Sequence, residues 1–415
     1  MITTRRTVLA GTAATTAGLL LGGRARAANE KQIVIGMQCD RTGPTQIVGN
    51  ILCPGSDHYV ALINRNGGVG GYKIFMPETD TQYAVPPAIE EYERDKGRGA
   101  IAIALFGTPQ TEALAPRLDK DQIPGTCPGF GPASASNGVH FPYVFPIAAN
   151  YWSQAAAGLD FIKGKLGGSL HGKKIGYMFY DNPAGREPLP VIHKLQAMEG
   201  FTLKEYGVPP PGIEVSAQAL DIAERFRPDF LLMHVFGRAT SVALKALRGV
   251  GYPLDKALGL VWAGSYADIK AAGGWGVCQG YHTMQFAGVG DDYPVLQQIR
   301  EMFKAENKPV PPMIEDSVYY NRGVLGGAVI IEAIRLALAA NGGKQPTGAE
   351  VKRGFESIKN FSLGGLVPPL HITTSDHEGG GWVQIYQVTG NKMVKMTPWF
   401  HGYRGLIEQM IAASA

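Results

Sequence analysis

The chain has 415 residues, of which 45% are hydrophobic, so it can bury a large core and divide into two domains. Its formal net charge is +4, and the first 27 residues contain four arginines and no acidic residue. Without that segment, basic and acidic residues balance at 35 each. This balance, and the absence of a Lys/Arg run, exclude a nucleic-acid-binding surface.

The first 27 residues have the composition of an export signal. Arg5 and Arg6 precede a short, mildly apolar stretch, and Ala25-Arg26-Ala27 is a small-x-small cleavage site. The arginine pair predicts a twin-arginine signal peptide over residues 1–27, and an ordinary secretory signal is the alternative. Either signal exports the mature protein to the periplasm.

Strand and helix patterns then alternate along a first unit. "QIVIGMQ", "YKIFMPETD", "AIAIALFG" and "IPGTC" predict strands, separated by helical patterns. Gly68, Gly70 and Gly71 follow a helix and precede a strand, whereas a phosphate-binding loop would leave a strand and open a helix. These glycines are therefore interpreted as a helix-to-strand turn.

A second alternating unit begins near Tyr151, after the extended segment "VHFPYVFPIAANY". Its strand patterns are "KKIGYMFY", "FTLKEYG", "DFLLMHVFG", "ALGLVWAGS" and "GYHTMQFAG". Three consecutive helices follow, which we expect to cover the first sheet, and closing β patterns return to the second. The predicted fold is α/β, with two doubly wound parallel-sheet lobes joined by a three-segment hinge. Lobe 1 would comprise residues 28–145 and 283–363, and lobe 2 residues 146–282 and 364–415.

Four segments together resemble periplasmic solute-binding proteins of the leucine/isoleucine/valine-binding type (type I). They are "RTGPTQIVGN", "NRNGGVGGYKI", "LFGTPQTEALAPRLDKDQIPG" and "TTSDHEGG", in that order. The resemblance covers nearly all of the mature chain. It implies a ligand-capture protein whose lobes close on a small molecule and deliver it to the membrane permease of an ABC importer.

Ligands of open α/β sheets bind beyond the carboxyl ends of the strands. The loops at those positions, and the start of the helix that opens the second unit, supply the candidate ligand-binding residues. They are Arg41, Thr108, Gln110, Thr111, Phe130 and Gly131 in lobe 1, and Tyr151, Tyr180, Asp181, Phe236, Arg238, Trp262 and Ser265 in lobe 2.

Two groups among these candidates could hold a carboxylate. Thr108 and Thr111 offer hydroxyl groups at a helix start, where free N–H groups and the helix dipole favour an acceptor, although either threonine could simply cap the helix. In the family, similar loops hold the ligand's carboxylate. Arg238 follows a buried strand and suits bidentate carboxylate binding, or it is a solvated surface residue. Arg41 has the same two interpretations.

The candidate site lacks an expected acid. Amino-acid-binding members of the family hold the ligand's ammonium with a carboxylate near the end of the strand that matches "LGLVWAGSY", where this chain has Trp262 to Ser265. The candidate loops are instead rich in aromatic residues. We therefore expect a small carboxylate with an aromatic body, and branched-chain amino acids or amides stay open because Asp181 could replace the missing acid.

No cofactor, metal site or catalytic motif is predicted. Cys39, Cys53, Cys127 and Cys278 form no Cys-x-x-Cys pair; Cys39 and Cys53 are either bridged or free buried thiols. The isolated His377 is expected to be structural. A non-catalytic binding protein is favoured over a twin-arginine-exported enzyme, because no nucleophile elbow, zinc motif or nucleotide loop occurs.

Overall fold

In the computed structural model, which describes residues 31–414, the first lobe begins with one parallel sheet. The strand order is β2-β1-β4-β5-β6, and β3 continues alongside β1 beyond β2. The residues of β4 are almost all buried, as expected for a parallel strand covered on both faces. The elements of this part are β1 (Gln32–Cys39), α1 (Gln46–Arg65), β2 (Lys73–Phe75), β3 (Glu78–Asp80), α2 (Val85–Gly97), β4 (Ala100–Ala104), α3 (Thr108–Asp121), β5 (Gly125–Thr126) and β6 (Val144–Phe145).

The second lobe repeats this alternation. Its strands pair in parallel in the order β8-β7-β9-β10-β11. A π-helical turn, Asp221–Phe226, continues α7. The elements are α4 (Tyr151–Lys165), β7 (Lys174–Tyr180), α5 (Pro183–Arg186), α6 (Leu189–Glu199), β8 (Thr202–Val208), α7 (Ser216–Leu220), β9 (Phe230–His234), α8 (Arg238–Gly249), β10 (Ala257–Gly259), α9 (Tyr266–Ala271) and β11 (His282–Gln285).

The rest of the chain visits both lobes again. Three helices return to the first lobe, where the longest packs against α1, and a hairpin then joins the second sheet beside β11. The last helix packs on α4. The elements are α10 (Pro294–Ala305), α11 (Tyr319–Ala340), α12 (Gly348–Phe355), the antiparallel pair β12 (Lys359–Phe361) and β13 (Leu370–His371), the hairpin β14 (Gln384–Thr389) and β15 (Lys392–Lys395), and α13 (Arg404–Ala413).

The predicted architecture of two α/β lobes is confirmed, and so is the turn at the glycine cluster. Gly68 has φ 80°, and a Cβ there would lie 1.9 Å from the Tyr72 carbonyl oxygen, so this turn requires glycine. Two elements differ from expectation. The strand predicted from residue 257 ends at Gly259, and the C-terminal helix α13 was not predicted.

The structure moves two of the three predicted lobe crossings. Residues 282 and 283 lie inside β11, which pairs with β10 and β14, so the chain leaves the second sheet only after Gln285. The turn at Leu363–Gly365 packs on α10 of the first lobe, and the chain rejoins the second sheet at β14. After Phe145 the chain passes from β6 of the first sheet to α4, the first helix of the second alternating unit.

Two of the crossing segments lie side by side. The buried His377 ring stacks on Phe145 with ring centroids 4.0 Å apart, and its Nδ1 lies 2.8 Å from the Val144 carbonyl oxygen. The Asn150 N–H donates to the buried Glu378 carboxylate at 2.8 Å. His377 therefore joins the crossing segments to each other, which is a structural role.

A disulfide links the end of β1 to α1. Cys39 and Cys53 are bridged and fully buried, whereas Cys127 and Cys278 are buried free thiols. This bond decides between the two interpretations that the sequence left open, and it fits an oxidising compartment.

Helices α1 and α11 touch through their backbones at glycines. A Cβ on Gly323 would lie 1.8 Å from the Leu52 carbonyl oxygen, and one on Gly55 would lie 2.4 Å from the Tyr320 carbonyl oxygen. Helix α11 is long and apolar enough to cross a membrane by length and composition, but 67% of its most apolar stretch is buried inside the protein. It is a core helix of lobe 1.

We expect Gly323→Ala to lower the free energy of unfolding by about 1–3 kcal/mol, because the added methyl group overpacks the helix contact. Urea unfolding followed by circular dichroism would measure it. The matched control is Gly164→Ala in α4, an exposed helix glycine with no neighbour within 4 Å, which should gain about 0.5–1 kcal/mol. Equal stability of the two variants would contradict the close helix contact.

Candidate functional site

A cavity lies between the lobes, at the carboxyl ends of β1, β4 and β5. It holds about 780 Å³ of atom-free space, part of it open to solvent. Lobe 1 contributes most of its lining, and lobe 2 covers it with a few aromatic side chains. The lining residues are Met37, Gln38, Thr45, Val48, Leu52, Ser56, Tyr83, Ala104, Leu105, Phe106, Gly107, Thr108, Thr126, Pro128, Phe130, Tyr151, Phe236, Trp262, Phe286, Arg322 and Gly326.

Aromatic side chains form much of the cavity wall. Trp262 reaches across from lobe 2, and its Nε1–H donates to the Gly129 carbonyl oxygen of lobe 1 at 2.9 Å. Its ring lies 6.1 Å from that of Phe130 and 6.0 Å from that of Phe286. Such a wall suits a flat or otherwise apolar ligand. Each aromatic contact contributes about 0.5–1.5 kcal/mol beyond the free energy of burying apolar area.

The start of α3 faces this cavity. Gly107 precedes the helix at φ 98°, and Thr108 lies in the first turn, whose N–H groups have no partner within the helix. The Thr108 hydroxyl accepts a hydrogen bond from Gly131 N–H at 3.1 Å. The helix start therefore offers donors and a positive dipole end to an acceptor on the ligand.

Arg322 of α11 supplies the positive charge of the cavity. Its side chain is buried, and the guanidinium carbon lies 4.9 Å from the ring centroid of Trp262 and 4.6 Å from that of Phe286. Its terminal nitrogens donate to the Val261 carbonyl oxygen and to Gln285 Oε1, with a longer bond to the Met284 carbonyl oxygen. Three of the five guanidinium N–H groups are thus used, and Nε has no partner among residues 31–414.

Arg322 lacks a direct carboxylate partner in the described part of the chain. Burial lowers its pKa to about 10, while the nearby Tyr319, Asp316 and Asp268 act in the opposite direction. The group stays cationic at neutral pH. A buried cation without a counter-ion is costly, so the site is complementary to an anion.

One further polar group of the cavity is unpaired. Gln38 is 2% exposed, and its Nε2 donates to the Ala88 carbonyl oxygen at 2.9 Å. This bond fixes which end of the amide is the oxygen. Within residues 31–414, Gln38 Oε1 has no donor, so a buried acceptor remains available near the ligand space.

Five of the thirteen candidate residues from the sequence line the cavity: Thr108, Phe130, Tyr151, Phe236 and Trp262. Four others lie directly behind it without facing it. The Thr111 hydroxyl donates to the Gly107 carbonyl oxygen, Gly131 bonds Thr108, Tyr180 packs on Phe236 at 4.8 Å, and the Gln110 amide is buried beside Gly107.

The remaining four candidates are engaged elsewhere. Arg41 forms a two-bond ion pair with Glu78, at 2.6 Å for each bond, and Asp181 pairs with Arg186 at 2.6 Å. Ser265 caps α9 in a reciprocal arrangement with Asp268. Arg238 is exposed in a separate depression between the lobes, beside Pro44 and Asn50. None of these four lines the cavity.

Sequence reasoning missed Arg322, Phe286 and Tyr83. Phe286 lies just after β11, so the rule that ligands bind beyond the carboxyl ends of strands predicts this residue as well. Arg322 is a single cation in the otherwise uncharged stretch "YYNRGVLGGAVII", and a lone charge in an apolar helix was the available signal. Tyr83 follows β3, where no candidate was sought.

A group of potential metal ligands is otherwise occupied. Cys39, Cys53 and Glu78 lie close together, but the cysteines form the disulfide and Glu78 pairs with Arg41. These residues have no free ligand set for an ion.

The lobes also touch beside the cavity. The Glu187 carboxylate of lobe 2 accepts a hydrogen bond from Ala133 N–H of lobe 1 at 2.7 Å. Burial raises the pKa of Glu187 to about 7, and the charge of Glu112 on α3 raises it further, against the effect of the Ala133 bond. The Asp316 carboxylate accepts from Ala267 N–H across the same cleft at 2.7 Å. The lobes are thus closed over the cavity.

Two α/β lobes closed over an apolar cavity, with three crossing segments between them, define a two-lobed ligand-binding protein. The sequence profile of a family described as periplasmic binding protein matches residues 32–392. The chain belongs to this periplasmic binding protein family, whose type I members bind solutes for ABC transporters outside the cytoplasm. These are transport proteins rather than enzymes.

Solved structures share the fold over nearly the whole chain. One described as an ABC transporter permease from the Pseudomonas fluorescens group is 31% identical, with a TM-score of 0.81, over 92% of this chain and 97% of that one. A branched-chain amino acid ABC transporter protein from Thermus thermophilus with bound valine is 20% identical (TM-score 0.80; 92% and 99% covered). A solute-binding protein from R. palustris in complex with benzoate is 18% identical (TM-score 0.71; 90% and 98%). No curated protein matches the chain.

The Glu187 contact predicts a pH dependence of ligand binding. In the closed form the pKa is about 7, against an ordinary value of 4.5 when the carboxyl is solvated. The closed form therefore holds the proton more tightly, and this contribution to closure is full below pH 4.5 and lost as the pH rises through 7. We expect the dissociation constant of a tightly bound ligand to increase several-fold between pH 5.5 and 8.

Calorimetry on wild type, Glu187→Gln and the surface control Glu301→Gln measures this effect. The Glu187→Gln variant should lose most of the pH dependence, and Glu301→Gln, which changes an exposed side chain of α10, should keep it. Identical pH profiles for wild type and Glu187→Gln would contradict the role of this carboxyl in closure.

Proposed function

We propose that this protein captures a small carboxylate with an apolar body, preferably an aromatic acid, and delivers it to the membrane permease of an ABC importer. The observation that carries the proposal is Arg322, a buried cation without a carboxylate partner in an aromatic-lined cavity. The cavity lining includes no Asp or Glu within residues 31–414. A negatively charged ligand would therefore match the positive charge of the cavity.

The energetics favour an anion over a neutral or zwitterionic ligand. Nε and one further N–H of Arg322 are free to donate, and hydrogen bonds between charged groups are roughly twice as strong as neutral ones. The start of α3, with Thr108, adds donors and the positive end of the helix dipole. The aromatic wall supports a flat body on the ligand.

A branched-chain amino acid is the second candidate, supported by the valine-bound relative in the same fold. Its ammonium would need an acceptor in the cavity. Asp181, the acid that could have replaced the missing one, pairs with Arg186 outside the lining. Among the lining side chains within residues 31–414, Gln38 Oε1 is the acceptor without a donor, and it carries no charge. An unpaired ammonium in an apolar cavity is unfavourable by a few kcal/mol.

A thermal-shift screen of the mature protein against aromatic acids, their amides and branched-chain amino acids tests the ligand class. A ligand at a hundred times its dissociation constant stabilises by about 2.7 kcal/mol, which such a screen detects. Binding of leucine or valine without any response to benzoate-like or phenylpropanoid acids would overturn the aromatic-acid proposal.

We expect Arg322→Gln to weaken binding of benzoate-like acids by about 2–5 kcal/mol, because it removes one partner of a buried charge pair. The variant keeps an amide donor near the Val261 carbonyl oxygen. Calorimetry with each acid and its matched amide separates the charge from the packing. The control is Arg238→Gln, an exposed arginine outside the cavity. Equal losses for acid and amide would mean that Arg322 only holds the lobes together.

We further propose export by the twin-arginine route with cleavage after Ala27; both lie outside the described residues. Replacing Arg5 and Arg6 by Lys should block export, because this route requires the arginine pair. Fractionation with antibody detection measures the mature form in the periplasm. Normal periplasmic levels of the double variant would indicate an ordinary secretory signal instead.

A further inference from the structure

The cavity borders one face of α1 and reaches from the lobe junction into lobe 1. Its N-cap Thr45 and three residues of the helix line it, at intervals of three or four: Val48, Leu52 and Ser56. They form one face of the helix and span roughly 16 Å at 1.5 Å per residue. One end of this face lies near lobe 2, because the backbone of Pro44 contacts Gly237. The other end lies at Ser56, against α11.

Gly326 of α11 lines the inner end of this space, and packing does not explain it. Gly323 must be glycine because a Cβ there would lie 1.8 Å from the Leu52 carbonyl oxygen, and a Cβ on Gly327 would lie 3.4 Å from Ser56 Cα. A Cβ on Gly326 would meet only Ser56 Oγ at 3.9 Å and Pro128 Cγ at 4.0 Å. Glycine inside a helix is less stable than alanine, yet here the place of the side chain stays empty. Glycine at position 326 therefore leaves space in the cavity that a larger side chain would fill.

We infer that the channel along α1 receives an extended apolar substituent of the ligand, and that Gly326 sets how long this substituent can be. The inference rests on the proposed function, since a carboxylate bound to Arg322 fixes the position of the ligand's charged group. Apart from Ser56, whose hydroxyl donates to the Gly323 carbonyl oxygen at 2.8 Å, the inner end is bordered by Leu52, Pro128 and Gly326. A hydrocarbon chain or a second ring fits this lining.

Two matched series of probes test the inference: para-alkyl benzoates from methyl to pentyl, and the corresponding benzamides. In the wild type, each added CH₂ that enters the channel should tighten binding about fourfold. Gly326→Leu should abolish this gain for the longer members, so the affinity ratio of pentyl to methyl falls towards one. Leu52→Ala should extend the gain to longer chains. Gly164→Leu, the same substitution at an exposed glycine of α4, should keep the wild-type ratio.

The outcomes separate this inference from the proposed function. Benzamides that bind as tightly as benzoates, with the same length dependence and the same effect of Gly326→Leu, would overturn the carboxylate proposal and support the channel. Benzoates that bind without any gain with length, or a length gain that Gly326→Leu leaves intact, would overturn the channel alone. Failure of both series to bind would overturn both. Circular dichroism and thermal unfolding of each variant show that a lost ratio does not come from misfolding.

Discussion

A buried guanidinium at the junction of the lobes connects the fold to the cavity. Arg322 belongs to the core helix of lobe 1, but its hydrogen-bond acceptors, the Val261 carbonyl and Gln285, belong to the second lobe. Aromatic rings from both sides cover its faces. Because a buried cation is stable only when its donors are satisfied, lobe position and cavity charge depend on the same side chain. An anion that binds Arg322 would therefore also favour the closed arrangement of the lobes.

The helix contact behind Arg322 gives this residue a fixed position. Gly323 and Gly55 allow α1 and α11 to touch through their backbones, and the disulfide holds the first half of α1 to the end of β1. Both helices and this strand contribute to the cavity lining. The part of the site around Arg322 thus stands on rigid elements, which supports geometric selection among similar ligands.

The sequence predicted the fold well because the fold depends on local periodicity. Alternating strand and helix patterns define two parallel sheets, and the apolar run at β4 indicates a strand buried on both faces. The predicted points at which the chain crosses between the lobes were less accurate, because the pairing of β11 with both β10 and β14 depends on residues far apart in sequence. Thr108 and Trp262 were found because they follow strands. Arg322 was missed because it reaches the cavity from the side of a helix, and no strand-end rule applies to it.

Arg238 was predicted to bind the ligand, but it does not line the cavity, and the reason is physical. It follows a buried strand, as Phe236 does, but the two side chains differ in surroundings: Phe236 lines the cavity and Arg238 is exposed on the first turn of α8. A loop sequence gives the position of the backbone at a strand end but not the direction of each side chain, which depends on the helix that follows.

The division of the lining between the lobes indicates an order of events in binding. Lobe 1 supplies the start of α3, the face of α1 and Arg322, whereas lobe 2 supplies mainly the rings of Tyr151, Phe236 and Trp262. Under the proposed function, the ligand would make its contacts with α3 and α1 on lobe 1 and enter the proposed channel there. Lobe 2 then adds apolar cover and excludes water, which strengthens the charge interaction already made. In that sequence of events the cover from lobe 2 forms only when the ligand is in place, so the ligand's higher affinity for the closed form would drive closure.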